Sequence, residues 1–376
     1  MIVARSLARA GRAVVVVLHD LSLAASRADR IAMVDLGRIV AVGTPEEVLT
    51  PERVAEVYGI GVHVLTDTPD GHLIVVPAGA LLSLPPALLV RQAPTAPGDY
   101  RGAAWLMRDM AFSVLPSVVA LEQFRQIAGA SRARLPFIGF GDPVFTERAG
   151  AVRGGDGGVD RVVRECRLDA KAVAQLAQLP ETATELRALA RTLGAGQERA
   201  VVLGQRATVA AVRAADLRDY RIVAFATHAL LPGELDCLSE PALALTPQGS
   251  ASTGDNGLLG ASAIADLKLD ADWVLLSACN TAGSGGGNLR GEGLSGLATA
   301  FFYAGTRALL ASHWYVVSEP TVFLTTRTFD SYRQAPNLGR AEALRRAQLA
   351  LLERPNMAHP LFWAAFALVG DSGSAP

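Results

Sequence analysis

Lysine is almost missing from this chain: it occurs only at Lys171 and Lys268, and arginine supplies the rest of the 35 basic residues. That bias reads as genomic composition rather than function. It has one chemical consequence. A phosphate-cradling loop needs a lysine followed by Ser or Thr after a glycine-rich turn, and here Lys171 precedes Ala172 and Lys268 precedes Leu269. Cysteine is also scarce. Cys166, Cys237 and Cys279 are too few and too scattered for a disulfide framework or a zinc site, so a reducing cytosol fits best. Charge is low at 19% and nearly balanced, with a net charge of −1 and a pI near 6.6. No basic excess favours nucleic acid, and no acidic run reads as a solvating tail. The longest apolar stretch, 296–311, is broken by Arg307 and is shorter than a spanning helix needs. The N-terminal apolar run AVVVVL has six residues before His19 and Asp20, too few for a signal peptide. The expectation is a cytoplasmic protein with no membrane insertion and no nucleic-acid partner.

Other signatures fail on spacing. Ser295 sits in Gly293-Leu294-Ser295-Gly296, one residue short of a serine-hydrolase elbow. His63, His72, His313 and His359 lack metal-ligand spacing, so no metal and no cofactor is expected.

What is present is apolar material: 50% of the 376 residues are hydrophobic and mean hydropathy is +0.28, enough for two domains and a large core. Strand and helix signals alternate, which predicts an α/β fold. RIAMVDLGRIVAVG (30–43) reads as a hairpin turned at Asp35-Leu36-Gly37. Thr44-Pro45-Glu46-Glu47 and Thr50-Pro51-Glu52 read as capped helix starts. A second hairpin is expected from 62–66 to 72–77 and a helix at 117–128. Residues 103–116 read as a strand-like run and 134–143 as a strand. TATELRALARTLG (182–194) has the period of an amphipathic helix. Strand 198–204, helix 207–219, helix 294–304, strand 306–316 and helices 318–333 and 341–354 complete the pattern. Trp363 and Phe366 read as core anchors at helical spacing.

Two apolar runs carry the chemistry. RIVAFATH (221–228) and WVLLSAC (273–279) read as short buried strands ending at His228 and Cys279. Binding sites in open α/β sheets form outside the carboxyl ends of the strands. If the two strands are parallel neighbours, an imidazole and a thiol meet there, and such a thiol can ionise and act as a nucleophile. Cys279 is followed by Asn280, Thr281 and a glycine-rich loop, which suits an exposed backbone.

Residues 73–371 resemble the CHAT family, caspase-like domains of the clan that includes caspases and separase. The matching segments are LIVVPAGALLSLP (73–85), DYRGAAWLMRDMAFSVLPS (99–117), FGDPVF (140–145), LGQRAT (203–208), FATH (225–228), LLSACNTA (275–282), GEGLSGLATAFFYAGTRALLASHW (291–314) and HPLFWAAFALVGD (359–371). The resemblance implies a mostly parallel caspase-like sheet flanked by helices, with His228 as base or orienter and Cys279 as nucleophile. The backbone N–H groups of Ala229 and Cys279 would then form the oxyanion hole. Family members commonly carry glycine where this chain has Ala229. Glu240 and Asp255 are candidates for a pocket that takes a basic side chain, with solvated loop charge as the plainer reading.

Residues 1–70 form a small α/β segment that resembles something else. LARAGRAVVVVLHDLSLAASRADRIAMVDLGRIVAVGTPEEVLTPERVAEVYGIGVHVL is similar to the C-terminal part of an ABC-transporter ATPase of the haem or siderophore import type, in which His19 would reach the γ-phosphate. With no phosphate cradle, signature motif or acidic metal-binding strand, His19 is an isolated residue. The domain reading is therefore 1–70 and 71–376.

Three functions compete on the sequence alone. One is a cysteine endopeptidase acting on a protein or peptide substrate, with a regulatory protein as a further partner. The second is a catalytically inactive caspase-like interaction module. The third is an ATP-binding remnant of a haem-import transporter.

Overall fold

In a computed structural model of the chain, the described residues are 30–35, 38–50, 52–53, 84–92, 94, 96–114, 131–145, 170–235, 237–248, 256–277, 291–314 and 318–372. The expected hairpin at 62–77, the helix at 117–128 and the elements before residue 30 lie outside them. The chain divides into two compact units, residues 1–79 and 80–375.

In the first unit, β1 (Ile31–Asp35) and β2 (Arg38–Gly43) pair antiparallel, as the hairpin signal predicted. They lead into α1 (Pro45–Val48). Thr44 caps that helix: its side chain accepts from the Glu47 N–H while Glu47 reaches back to the Thr44 N–H, a reciprocal pair that satisfies two orphan donors. Met33, Val48 and Leu49 close the small apolar cluster of this unit.

The second unit is a mixed α/β fold whose central sheet is mostly parallel and carries helices on both faces. In chain order its elements are β3 (Leu135–Pro143), α2 (Ala170–Ala174), α3 (Glu181–Thr192), α4 (Gln197–Ala200), β4 (Val201–Gly204), α5 (Val209–Ala214) and β5 (Tyr220–Ala226). Next come β6 (Ala229–Leu230), β7 (Ala242–Ala244), β8 (Leu258–Gly260), α6 (Ala261–Ala265), β9 (Trp273–Leu276), α7 (Gly291–Ala304) and β10 (Ala308–Ser312). The unit ends with α8 (Ser318–Gln334), α9 (Arg340–Leu352), α10 (Pro360–Trp363) and β11 (Phe366–Gly370). The six-stranded sheet runs β11-β10-β9-β5-β3-β4, and only β11 is antiparallel to its neighbour.

Strand periodicity sorts the core into two layers. Phe137, Ile222, Ala224, Trp273, Leu275 and Leu310 face α3, α8 and α9. Phe140, Val223, Phe225, Val274, Leu276 and Leu309 face α5, α6 and α7. Both faces of β5 and β9 are thus covered, which explains why each reads as an unbroken apolar run rather than an alternation. The Phe225 ring stacks on Phe140 at 5.5 Å and meets Phe301 at 5.6 Å between centroids. On the other face Gly139 and Gly141 let α3 come close. A Cβ at Gly141 would lie 2.7 Å from Leu186 Cδ1 and 2.9 Å from the Ala226 carbonyl oxygen.

Three expectations are corrected. In the run expected to be strand-like at 103–116, the described residues 103–114 form no strand: a 3-10 turn spans Leu106–Arg108, with single bridges from Trp105 to Val90 and from Val114 to Val369. Side chains take over the bonding there, since the Trp105 indole donates to the Tyr100 carbonyl and Arg345 donates to the carbonyls of Met107 and Arg108. The strand expected at 198–204 starts only at Val201, after a helical turn. Trp363 and Phe366 are both buried, but one closes α10 and the other opens β11, so helical spacing is not what pairs them.

Candidate functional site

The chain first runs from β3 to β4 on one side and then to β5 on the other, so strand order reverses at the β3/β5 boundary. Open α/β sheets place their ligand crevice outside the carboxyl ends at such a switch. His228 lies there, two residues beyond β5, and its ring is 5.6 Å from that of Phe145, which follows β3. His228 is partly exposed, whereas Thr227 beside it is fully buried and donates its hydroxyl to the Ala244 carbonyl. The Ala244 N–H in turn donates to the His228 carbonyl at 2.9 Å. The small sheet β6-β7-β8 therefore clamps the main chain where it leaves β5.

The imidazole is oriented from the α2–α3 connection. His228 Nε2 is 2.8 Å from the carbonyl oxygen of Ala177. A carbonyl oxygen only accepts, so Nε2 carries the proton and Nδ1 of the neutral ring keeps its lone pair. That connection is itself tied down. The Asp142 N–H donates to Thr182 Oγ1 at 2.8 Å, and that hydroxyl donates to the Leu179 carbonyl at 2.7 Å. The Gln178 amide, in the orientation that satisfies both partners, donates to the Pro143 carbonyl at 2.9 Å and accepts from the Phe145 N–H at 2.8 Å.

β9 lies beside β5 in parallel register, with Phe225 opposite Leu276, and the Ser277 N–H donates to the Phe225 carbonyl at 3.0 Å. The carboxyl ends of the two strands are therefore adjacent, as the sequence required. Cys279, Asp255 and His19 lie outside the described residues. Ala229 pairs with Leu243 in the antiparallel register, and the neighbouring pair 228/244 is the hydrogen-bonded one. Bonded and non-bonded pairs alternate in such ladders, so the Ala229 N–H is directed away from β7.

The Glu240 carboxylate is tied to the start of α6. It accepts from the Ser262 N–H at 2.8 Å and from the Ser262 hydroxyl at 2.7 Å, which occupies both oxygens. Cys237 is disulfide-bonded, so thiol chemistry on this chain is measured after reduction. Among the described residues there is no group of three or more His, Cys, Asp or Glu that could hold a metal, and no helix is long and apolar enough to cross a membrane.

Sequence reasoning missed Glu185. This α3 residue is 4% exposed, and it accepts from the Ser277 hydroxyl through Oε2 at 2.8 Å. Burial pushes its carboxyl up to about 7; the Ser277 bond works against that, and Glu181 adds to it. The overlooked signal was position: residue 185 lies on the same helical face as Thr182 and Leu189.

The model of the CHAT domain matches residues 53–371. The chain belongs to the CHAT domain family. The match begins inside the segment read as ATPase-like and covers both β5 and β9. A different similarity covers a fifth of the chain. It is 49% identical over 77 residues to the hemin import ATP-binding protein HmuV of Rhodococcus jostii and 53% identical over 73 residues to that of Streptomyces coelicolor. In each case it spans 26% of the relative, so this CHAT-domain chain covers about a quarter of the length of the curated proteins it matches. Among solved structures it is similar to the Arg-specific cysteine proteinase gingipain R, at a TM-score of 0.31 and 12% identity over 53% of this chain and 42% of that one.

Proposed function

We propose that this CHAT-domain chain is a cysteine endopeptidase, with Cys279 as nucleophile and His228 as proton carrier, and that residues 71–376 hold the activity while 1–70 hydrolyse no nucleotide. The observation that carries the reading is the placement of His228. It sits at the switch crevice with Nε2 bonded to the Ala177 carbonyl and Nδ1 left to accept a proton. Support comes from the parallel pairing of β9 with β5, which sets their carboxyl ends side by side, with the Ser277 N–H bonded to the Phe225 carbonyl two positions before Cys279.

The chemistry follows from those groups. Nδ1 takes the thiol proton, and the sulfur bonds to the carbonyl carbon of the scissile peptide. The N–H groups of Ala229 and Cys279 stabilise the oxygen that becomes negative. The C–N bond then breaks as the imidazolium returns the proton to the leaving amine, leaving a thioester. Water, deprotonated by the same nitrogen, attacks the thioester, and the acid leaves as the thiol is regenerated. The substrate class is a protein or peptide, and no metal is needed for any step.

The test is cleavage of a peptide library by the reduced protein, with Cys279→Ala and His228→Ala as controls. The expectation is cleavage by the unmodified chain and loss of at least about 1,000-fold in either variant. Equal cleavage by the unmodified chain and Cys279→Ala would end the proposal.

A further inference from the structure

Glu185 is a buried acid that the mechanism above does not use. Oε2 accepts from the Ser277 hydroxyl, and Oε1 has no hydrogen-bond partner among the described residues. Ser277 is held from two sides, by the β5 backbone through its N–H and by α3 through its hydroxyl. It is also the last described residue before Cys279, two positions on. The same stretch of chain, 177–185, thus anchors His228 by a carbonyl at its start and Ser277 by a carboxyl at its end.

We propose that Glu185 is a positioning residue for the dyad: through the Ser277 hydroxyl it fixes where the chain leaves β9 on its way to Cys279. The proposal rests on the peptidase reading of His228 and Cys279. A neutral acid keeps its own proton on Oε1 and accepts from Ser277 with Oε2, whereas a carboxylate would be buried with one oxygen unpaired, an expensive arrangement.

The charges around the site point the same way. α3 packs against β3, β4, β5, α4 and α8. Glu181, one turn earlier on α3, disfavours the charged form of Glu185, and among the described residues no cation opposes it. Arg187 on α3 acts on Asp142 of β3 instead. Among the described residues of β4, β5, α4 and α8 no ionisable group acts on Glu185.

The experiment measures the rate at which iodoacetamide labels Cys279 in the reduced full chain, read by mass spectrometry on the peptide that contains it. The pH range runs from about 6 to about 8.5, on either side of the carboxyl's midpoint. Glu185→Gln keeps the shape and the acceptor but cannot ionise. It is expected to label as the unmodified chain does across this range, whereas Glu185→Leu, which removes the acceptor, is expected to label about tenfold more slowly. Ser277→Ala, which removes only the donor and conserves the fold, is expected to label about tenfold more slowly at pH 6, since a small misplacement of reacting groups costs up to about 100-fold. Glu185→Leu or Ser277→Ala at the unmodified rate, or Glu185→Gln as slow as Glu185→Leu, overturns the proposal. His228→Ala separates the two levels. Labelling that depends on His228 but not on Glu185 or Ser277 removes this inference and leaves the dyad standing. Labelling indifferent to His228 removes the dyad and this proposal with it.

Discussion

His228 Nε2 and the carbonyl oxygen of Ala177 are 2.8 Å apart, although 51 positions separate them in the chain. Because the acceptor is main chain, no side-chain replacement at position 177 removes it. The tautomer is therefore a built-in property of the α2–α3 connection. Nitrogen-15 NMR of the imidazole at about pH 8, where a free histidine is neutral, is expected to show the proton on Nε2. A proton on Nδ1 would contradict the proposed path of the thiol proton.

The raised acidity midpoint of Glu185 has a consequence for stability. Its folded value of about 7 lies above the ordinary 4.5, so between the two the folded chain holds a proton that the unfolded chain has released. Stability from this group is full below the unfolded value and is lost as pH rises through the folded one, by a few kcal/mol in total, order ~3. Glu185→Gln has no such loss. In urea unfolding from about pH 5 to 8, the stability of Glu185→Gln relative to the unmodified chain should rise with pH and level off above the folded midpoint. A constant difference would show that the carboxyl is not protonated in the fold.

Gly141 is where α3 meets the sheet. Gly141→Ala puts a Cβ 2.7 Å from Leu186 Cδ1 and 2.9 Å from the Ala226 carbonyl. The leucine can rotate; the carbonyl, held in β5, cannot. A loss of about 1–3 kcal/mol is expected from chemical denaturation, and unchanged stability would mean that α3 is free to lift.

At the amino ends of the parallel strands, away from His228, the Arg340 side chain is 5% exposed and binds Asp371 at 2.7 Å and Asp272 at 3.6 Å. Its guanidinium also lies over the rings of Trp273 and Tyr332, at 5.8 and 5.6 Å. Arg340→Met leaves two carboxylates without this cation and is expected to cost about 3–5 kcal/mol. The His228-dependent labelling of Cys279 in the folded fraction should be unchanged. Equal stability would show that the cluster contributes little net energy.

Legibility followed burial and local chemistry. β5 and β9 were visible because strands covered on both faces leave unbroken apolar runs, and α1 because Thr44, Pro45 and Glu47 spell a cap whose bonds close within four residues. The turn at 106–108 was not visible, because Arg345 satisfies the carbonyls of Met107 and Arg108 from far along the chain. The bonds from Ser262 to the Glu240 carboxylate were not visible either, since sequence spacing does not announce that partner. Glu185 stayed hidden for another reason: a glutamate in an amphipathic helix reads as solvated unless its face is checked against its neighbours.

By itself the sequence determined the strands that end near His228 and Cys279, the caps, the α/β class and the family, all of which rest on short-range periodicity or on residue order. Only the tertiary structure decided that Ala177 orients the imidazole and that Glu185 holds Ser277 from 92 positions away. Those contacts depend on the register of β5 against β9 and on the depth to which α3 settles over two glycines. Both are set by the packing of the whole core, which no local pattern encodes.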